Sequence, residues 1–368
     1  MAKPKRILIV RPSALGDVCR TVPVLVTLRR AWPDAVIDWV VQAEFAAAIA
    51  SHPALNEAVG FPRQRFARWW RSAVVAREAL GWLEDLRRRR YDLVVDCQGL
   101  GRSGLITWAT RAPRRVGLRS ARELGWLGYN VRHPAAPGAH TVREMMSLLE
   151  AEGLEPVYDM RLYVADEDRA WWAGRRTELG LADGELAVLA PTSRWPGKRW
   201  PQEGWARLIG PLRERGFEHA VLIGARSERG QVRGIVDREP SVTDLVGEAT
   251  VGRTMAVIAD AGLVIANDSA PLHMAVGLDR PCVGLYGPTD PEAVGPFGLD
   301  DAVVRPDPSA SVAGGSFKNP KRGEALMRLI RPEEVLKRVD HMIGRAAGSA
   351  GGRSRTADRA QVPQKAAT

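Results

Sequence analysis

The chain has 368 residues, 45% of them apolar and 26% charged, which is room for two hydrophobic cores and the balance of a folded globular protein. No apolar run approaches the roughly 18 residues of a membrane-spanning helix, and the run Ile7–Val10 stops at Arg11, too short for a signal peptide; a cytoplasmic protein is expected. The net charge of +10 points to anionic partners, while Cys19, Cys97 and Cys282 stand alone, without C-x-x-C or metal spacing, and read as reduced, packed thiols.

In chain order, short apolar runs alternate with helix-length segments, the pattern of parallel βαβ units. The first half carries runs at 6–10, 36–41, 91–96 and 114–118, the second at 186–190, 219–224, 262–268 and 281–287. β-Branched residues and leucine dominate them, as strands buried on both faces require. Between two of these runs lies Arg63–Arg90, dense in arginine with Trp69, Trp70 and Trp82 interleaved. Nucleic acid, an anionic membrane surface and an acidic substrate all suit such a stretch, and so does a solvated helix face whose arginine stems cover apolar surface. The segment 155–168 separates the halves and predicts an N-terminal unit over 1–160 and a C-terminal unit over 161–343. From 344 to 368 the chain is rich in Gly, Ala, Ser and Arg without an apolar period, which predicts a disordered basic tail. The expected class is α/β, with two doubly wound, Rossmann-like parallel-sheet domains facing a cleft and ligands beyond the carboxyl ends of the strands.

The loops at those strand ends carry the chemistry. RPSALGD at 11–17 leads into an apolar helix, with Gly16 expected to form a tight turn and Asp17 to stand at the helix start. There the carboxylate either complements the helix dipole or accepts a proton from a substrate hydroxyl. Pro23 predicts that an unbroken helix begins only near Thr21. PTSRWPGKRWP at 191–201 gathers Thr192, Ser193, Lys198 and Arg199, a set suited to phosphate oxygens, or else to a basic surface loop anchored by Trp195 and Trp200. ANDSAPLHMAVG at 266–277 places Asn267, Asp268 and Ser269 as a helix cap with Pro271 early in the helix, a natural diphosphate seat. Asp268 repels phosphate and therefore suits sugar hydroxyls or the cap itself; His273 is either a core histidine or a polar contact to a donor. GLYGPTDP at 284–291 adds Thr289 and Asp290 at the same edge. No G-x-G-x-x-G follows the first strand, and neither a Walker lysine motif nor a G-x-S-x-G elbow occurs, which weakens dehydrogenase, NTPase and hydrolase readings.

These residues resemble the ADP-heptose:lipopolysaccharide heptosyltransferases, glycosyltransferase family 9, over roughly residues 5–300. SALGDV at 13–18, DWVVQAEFAAAI at 38–49, YDLVVDCQGLGRSG at 91–104, KRWPQEGWARLI at 198–209, NDSAPLHMA at 267–275 and GLYGPTDP carry the resemblance in order. ARELGWLGYN at 121–130 and HTVRE at 140–144 look like heptosyltransferase I, whose acceptor is the inner-core Kdo. The resemblance implies a GT-B fold and an inverting, metal-independent transfer of heptose from ADP-heptose, a substrate, with no cofactor. It assigns Asp17 as general base and Lys198 to the donor diphosphate, with Thr192 and Ser193 as hydroxyl neighbours. Glu228 falls to the ribose and Asp268 to the sugar, with Ser269, Ala270 and His273 in the adjoining helix-start motif. It places the acceptor, an anionic lipid-linked saccharide, on the N-terminal half, with Ser13, Arg63, Arg65 and Arg122 as candidate contacts. The expected setting is the cytoplasmic face of the inner membrane, touched transiently by a monomer with no specific nucleic acid partner. The loop before Lys198 is one residue longer than the family's pattern, and 307–325 has no clear counterpart and lacks the cysteines some relatives carry there. The rival readings are the same machinery with another nucleotide sugar or surface-polysaccharide acceptor, and a non-catalytic binder of nucleic acid or anionic surfaces. An NAD-dependent oxidoreductase, a third class, lacks its glycine fingerprint.

Overall fold

A computed structural model of the chain describes residues 3–136, 138–181, 185–307 and 319–352, the last six of these as backbone alone. The chain divides into two compact units, the first ending at Tyr163 and the second opening at Val164.

The first unit is built on six parallel strands: β1 (Arg6–Val10), β2 (Val36–Gln42), β3 (Glu57–Phe61), β4 (Leu93–Asp96), β5 (Arg114–Leu118) and β6 (Val131–His133). Their spatial order is β3-β2-β1-β4-β5-β6. From Ile7 to Val10 no residue of β1 is exposed, so its apolar run answers to cover on both faces of the sheet. The helix after β1, Leu15–Arg20, stops at Thr21, and a second helix, Val22–Ala31, starts there with Pro23 in its first turn, where a missing N–H is no loss. A helix does begin at the expected place near Thr21, but a separate one precedes it. Gly16, expected to form a turn, instead lies inside the first helix.

The second unit repeats the plan with β7 (Leu186–Ala190), β8 (His219–Leu222), β9 (Thr243–Asp244), β10 (Leu263–Asn267), β11 (Cys282–Leu285) and β12 (Val303–Val304). Their order is β12-β11-β10-β7-β8-β9, all parallel. Counted from its own first strand, this is the same neighbour order as in the first unit, the doubly wound Rossmann-like arrangement. In each sheet the winding reverses between the first and fourth strands: between β1 and β4, and between β7 and β10.

Each of the eight predicted strands is present. The four without a prediction, β3, β6, β9 and β12, are the four sheet edges and only partly buried, the last three of them short as well. The tail expected from 344 is a correction, because the helix Pro332–Gly352 runs through that point. Val335, Val339 and Met342, spaced at helical period, are buried and hold it to the second unit. Residues 353–368 lie outside the described residues, as do 308–318 of the segment without a family counterpart; Pro320–Arg328 beyond them is helical. Burial pushes the thiols of Cys19, Cys97 and Cys282 up to about 12, and all three are free, as packed thiols are. Among the described residues no helix is long and apolar enough to cross a membrane.

One close approach shapes the first unit at the carboxyl side of β4. The helix Gly101–Ala109 lies against the short 3-10 turn Gly125–Gly128, and a Cβ on Gly104 would overlap the Gly125 carbonyl, while one on Gly128 would overlap that of Gly104. Gly104→Ala is therefore expected to destabilise the protein by about 1–3 kcal/mol, the cost of overpacking. Gly174→Ala, in the helix Asp166–Glu178 with nothing within 4 Å of the added carbon, should instead stabilise by up to about 1 kcal/mol. Urea-unfolding midpoints of both variants check the pair; equal midpoints would remove the packing argument.

Candidate functional site

In the first unit the functional side chains leave β1 and β4, the two strands flanking the reversal. The chain after β1 stays tied to the sheet, with the Arg11 N–H donating to Val40 O (3.2 Å) and the Gln42 N–H to Pro12 O (3.0 Å). Asp17 lies in the first turn of Leu15–Arg20, and its Oδ2 accepts from the Ala14 N–H (3.1 Å), the role a carboxylate plays at a helix start. That role does not exhaust it. Arg11 Nη2 stands 3.2 Å from the same oxygen, and Arg20 donates to Oδ1. Both guanidinium groups are buried, whereas the Asp17 side chain keeps a quarter of its surface open to solvent.

Burial alone would raise the pKa of Asp17. The opposing charges of Arg11 and Arg20, with the hydrogen bonds from Ala14 and Arg20, outweigh it and hold the carboxyl well below the usual carboxylate range. A partly exposed anion, clamped from behind by two cations, is thus ionised at any physiological pH.

The loop after β4 meets this site. Asp96, buried at the end of β4, accepts from the Gln98 N–H (2.8 Å), the Gly99 N–H (3.1 Å) and the Tyr129 hydroxyl (2.7 Å). The loop so fixed offers the Cys97 carbonyl to Arg11 Nη1 and the Gln98 amide to the Ser13 hydroxyl (3.2 Å). Gly99 O accepts from the Arg122 N–H (2.8 Å), which sets the exposed Arg122 side chain beside the same loop. Arg63 donates to Gln42 Oε1 (2.9 Å) at the end of β2, and the pKa of Arg102 is lowered first by its own burial and then by the charge of Arg63 nearby. Ser13, Arg63 and Arg122 therefore join this edge. Arg65 pairs through its guanidinium with Glu78 on the surface (Nη2–Oε1 2.6 Å). Arg11, Arg20 and Gln98 are the residues that sequence reasoning passed over, although Arg11 and Gln98 closely follow the strands where it placed the chemistry and Arg20 lies one helical turn from Asp17.

In the second unit the equivalent position, between β7 and β10, gathers the donor-side candidates. Asn267, at the end of β10 and fully buried, bridges to the β7 loop, donating to Pro191 O (2.7 Å) and accepting from the Trp200 N–H (3.3 Å). The next residue, Asp268, takes the Lys198 ammonium at 2.5 Å, and both side chains are largely buried. Lys198 closes the 3-10 turn Pro196–Lys198, which the helix Pro320–Arg328 backs so closely that a Cβ on Gly323 would overlap the Gly197 backbone.

The hydroxyls expected at phosphate are engaged in shaping the loop. Thr192 donates to Glu228 Oε2 (2.8 Å), and Ser193 Oγ accepts from the Trp195 N–H (3.3 Å). Glu228 Oε2 also accepts from the Ala225 N–H (3.1 Å), so the acid after β8 is set at the same edge. Among the described residues of this unit, the buried hydroxyls without a hydrogen-bond partner are those of Ser269 and Thr289. Ser269 is the N-cap of the eight-residue helix Ala270–Gly277, yet its side chain makes no cap hydrogen bond. An unspent hydroxyl, the first helical N–H at Ala270 and the positive end of the helix dipole make an anion seat beside the Lys198 ammonium. His273 is 3% exposed within this helix. Among the described residues no group of three or more His, Cys, Asp or Glu side chains is placed to hold a metal ion.

The chain as a whole has known relatives. The family model "Glycosyltransferase family 9 (heptosyltransferase)" matches residues 81–313. Lipopolysaccharide heptosyltransferase 1 of Escherichia coli K12 is 30% identical over 306 residues, covering 82% of this chain and 93% of that protein. Lipopolysaccharide heptosyltransferase 2 of the same strain is 25% identical over 319 residues, covering 82% and 88%. A solved structure of E. coli heptosyltransferase WaaC with ADP matches at a TM-score of 0.74 and 28% identity, over 92% of this chain and 99% of that one. The fold is shared as well by E. coli ADP-heptose lps heptosyltransferase II, at a TM-score of 0.73 and 22% identity over 93% and 99%. The chain belongs to glycosyltransferase family 9, the heptosyltransferases, and its two Rossmann-like units are those of a GT-B enzyme.

Proposed function

We propose that the protein is an inverting heptosyltransferase that moves heptose from ADP-heptose to the Kdo region of a lipid-linked lipopolysaccharide core, at the cytoplasmic face of the inner membrane. The observation that carries the reading is the Lys198–Asp268 pair beside the Ser269 helix start, where cation, carboxylate and anion seat stand within one strand end of each other. The relatives named for heptosyltransferase 1, and the WaaC structure with ADP, support the choice of donor and acceptor.

In a single displacement the acceptor hydroxyl attacks the anomeric carbon, its proton passes to Asp17, and the C–O bond to ADP breaks on the opposite face. Negative charge grows on the departing diphosphate. Lys198, the Ala270 N–H and the Ser269 hydroxyl therefore bind the transition state more strongly than the ground state. Asp268 orients the ammonium and is left to meet sugar hydroxyls; Glu228 is available to the ribose diol. Ser13, Gln98, Arg63 and Arg122 act on the acceptor, whose anionic groups suit the arginines.

A panel of nucleotide sugars, incubated with a Kdo-bearing acceptor and read by product mass, tests the assignment. Heptose addition from ADP-heptose alone is expected, and transfer only from another sugar nucleotide would redirect the reading to a different polysaccharide transferase.

Asp17→Asn should lower kcat by roughly 10²–10⁴-fold, the ordinary worth of a general base, while ADP affinity measured by calorimetry persists. Loss of ADP binding together with turnover would move the base elsewhere. Because Arg11 and Arg20 keep Asp17 ionised far below its ordinary value of 3.8, acid should not protonate the base before the protein itself unfolds. The wild-type kcat/KM profile is therefore expected to stay flat on its acid side from neutrality to about pH 5, and an acid limb near pH 6 would assign a different base.

Lys198→Ala strips the buried Asp268 of its cation and should cost about 3–5 kcal/mol of stability. The double variant Lys198→Ala/Asp268→Asn should recover much of that stability without recovering ADP affinity. Thermal melts and ADP titrations separate the two effects; full recovery of affinity would show that Lys198 serves the fold alone.

A further inference from the structure

The arginine- and tryptophan-rich stretch, which composition leaves open between several partners and the family resemblance assigns to docking an anionic lipid sugar, is resolved by the fold into two faces. Inward, the helix Ala73–Arg88 stands on β3 through Trp82, which packs on Phe61 and donates to Gly60 O (3.0 Å), with Phe66 edge-on to both rings and Leu86 buried below. These aromatics belong to the core.

The opposite side has no such excuse. Trp69 and Trp70, on the 3-10 turn just before that helix, are 55% and 65% exposed, and Val74 and Leu80 on the helix are 54% and 66% exposed. The two indoles lie edge to face, their centroids 6.4 Å apart, and form one apolar projection rather than scattered contacts. Around them run Arg63, Arg65, Arg68, Arg71 and Arg77, with no aspartate or glutamate from 62 through 77. The first acid, Glu78, is taken by Arg65; Glu84 and Asp85, a turn or more further on, face Arg87 and Arg88.

An exposed cluster of tryptophan, valine and leucine rimmed by one sign of charge marks an interaction surface. Indole rings settle at the headgroup level of a bilayer, with an apolar body toward the acyl chains and an N–H toward water, and arginine forks match phosphate oxygens. The aliphatic members decide between anionic partners. Unpaired bases would stack on the tryptophans but gain little from Val74 and Leu80, whereas the acyl boundary of a membrane accepts both kinds of side chain.

We infer that this face, Trp69, Trp70, Val74 and Leu80 with Arg68, Arg71 and Arg77, docks the enzyme on an anionic phospholipid bilayer in the absence of any saccharide acceptor. The inference deepens the proposed function by naming the surface on which a lipid-linked acceptor would be met, but its physics rests on the patch alone.

The test is co-sedimentation of the full chain with sugar-free vesicles of phosphatidylcholine containing about three parts in ten of phosphatidylglycerol. Wild type should bind these in low salt, bind pure phosphatidylcholine at least about tenfold more weakly, and release at about 0.5 M salt, where the Debye length falls below about 5 Å. Trp69→Ser/Trp70→Ser, changes at exposed positions, should reduce binding about tenfold or more and abolish the blue shift of tryptophan emission on vesicle addition. Val74→Asp provides an independent variant with the same expected direction. Equal binding by the double variant and wild type would overturn the inference and transfer the effect to another basic surface. Binding to single-stranded DNA without binding to vesicles, or binding only to vesicles that carry the acceptor saccharide, would overturn it as well. Heptose transfer from ADP-heptose is assayed separately, so loss of the catalytic reading leaves the vesicle result standing, and the reverse.

Discussion

A doubly wound parallel sheet reverses its winding between its first and fourth strands, and at that seam the chains leaving neighbouring strands turn to opposite faces and part. The polar backbone exposed there has no strand beside it to satisfy, so ligand chemistry collects at the seam. Both units of this protein obey the constraint. Asp17 and the Gln98 loop follow β1 and β4, while the Lys198 turn and Asp268 follow β7 and β10. Each site draws its residues from segments distant in sequence, and each seam is closed by one buried polar side chain at the end of its fourth strand. Asp96 does this in the first unit through three hydrogen bonds, and Asn267 does it in the second through two.

The two seams differ in charge logic. In the first, a solvent-touching carboxylate is flanked by two buried arginines, so the anion is permanent and the cations are hidden. In the second, a buried lysine and aspartate neutralise each other beside a helix start that still has hydroxyl capacity to spend. The former suits a group that must accept a proton without being protonated beforehand. The latter suits a cation held ready for a charge that arrives only with the donor, since a buried pair is costly to break and therefore rigid in geometry. A weak resting base is consistent with this chemistry, because the acceptor hydroxyl becomes strongly acidic only as its bond to the anomeric carbon forms.

Apolar patterning revealed the eight inner strands because a strand covered on both faces must be apolar throughout. The four edge strands carried no such mark. In β3, for example, Glu57 is exposed, Val59 and Phe61 are buried and Gly60 between them is half-buried, an alternation too short to read as a run. The helix through 344–352 was concealed for a related reason: glycine, alanine and serine resemble a tail in composition, and Val335, Val339 and Met342 upstream are what anchor it. The hydroxyls at the donor edge show the limit for sites. Thr192 and Ser193 precede the lysine in sequence and look like phosphate ligands, yet Thr192 is spent on Glu228 from a distant loop, while Ser193 accepts locally from the Trp195 N–H.

From the sequence alone came the α/β class, the two-unit division, the loops where chemistry gathers, the candidate base and lysine, and the family. All of these follow from local composition and from motifs within a few residues of a strand end. Only the tertiary structure decided which side chains share an edge: that Arg11 reaches the Cys97 carbonyl as well as Asp17, that Lys198 faces Asp268 across 70 positions, and that Asn267 ties the end of β10 to the loop after β7. Pairings of this kind depend on how strands separated by whole helices come to lie side by side, and spacing along a chain does not encode distance across a sheet.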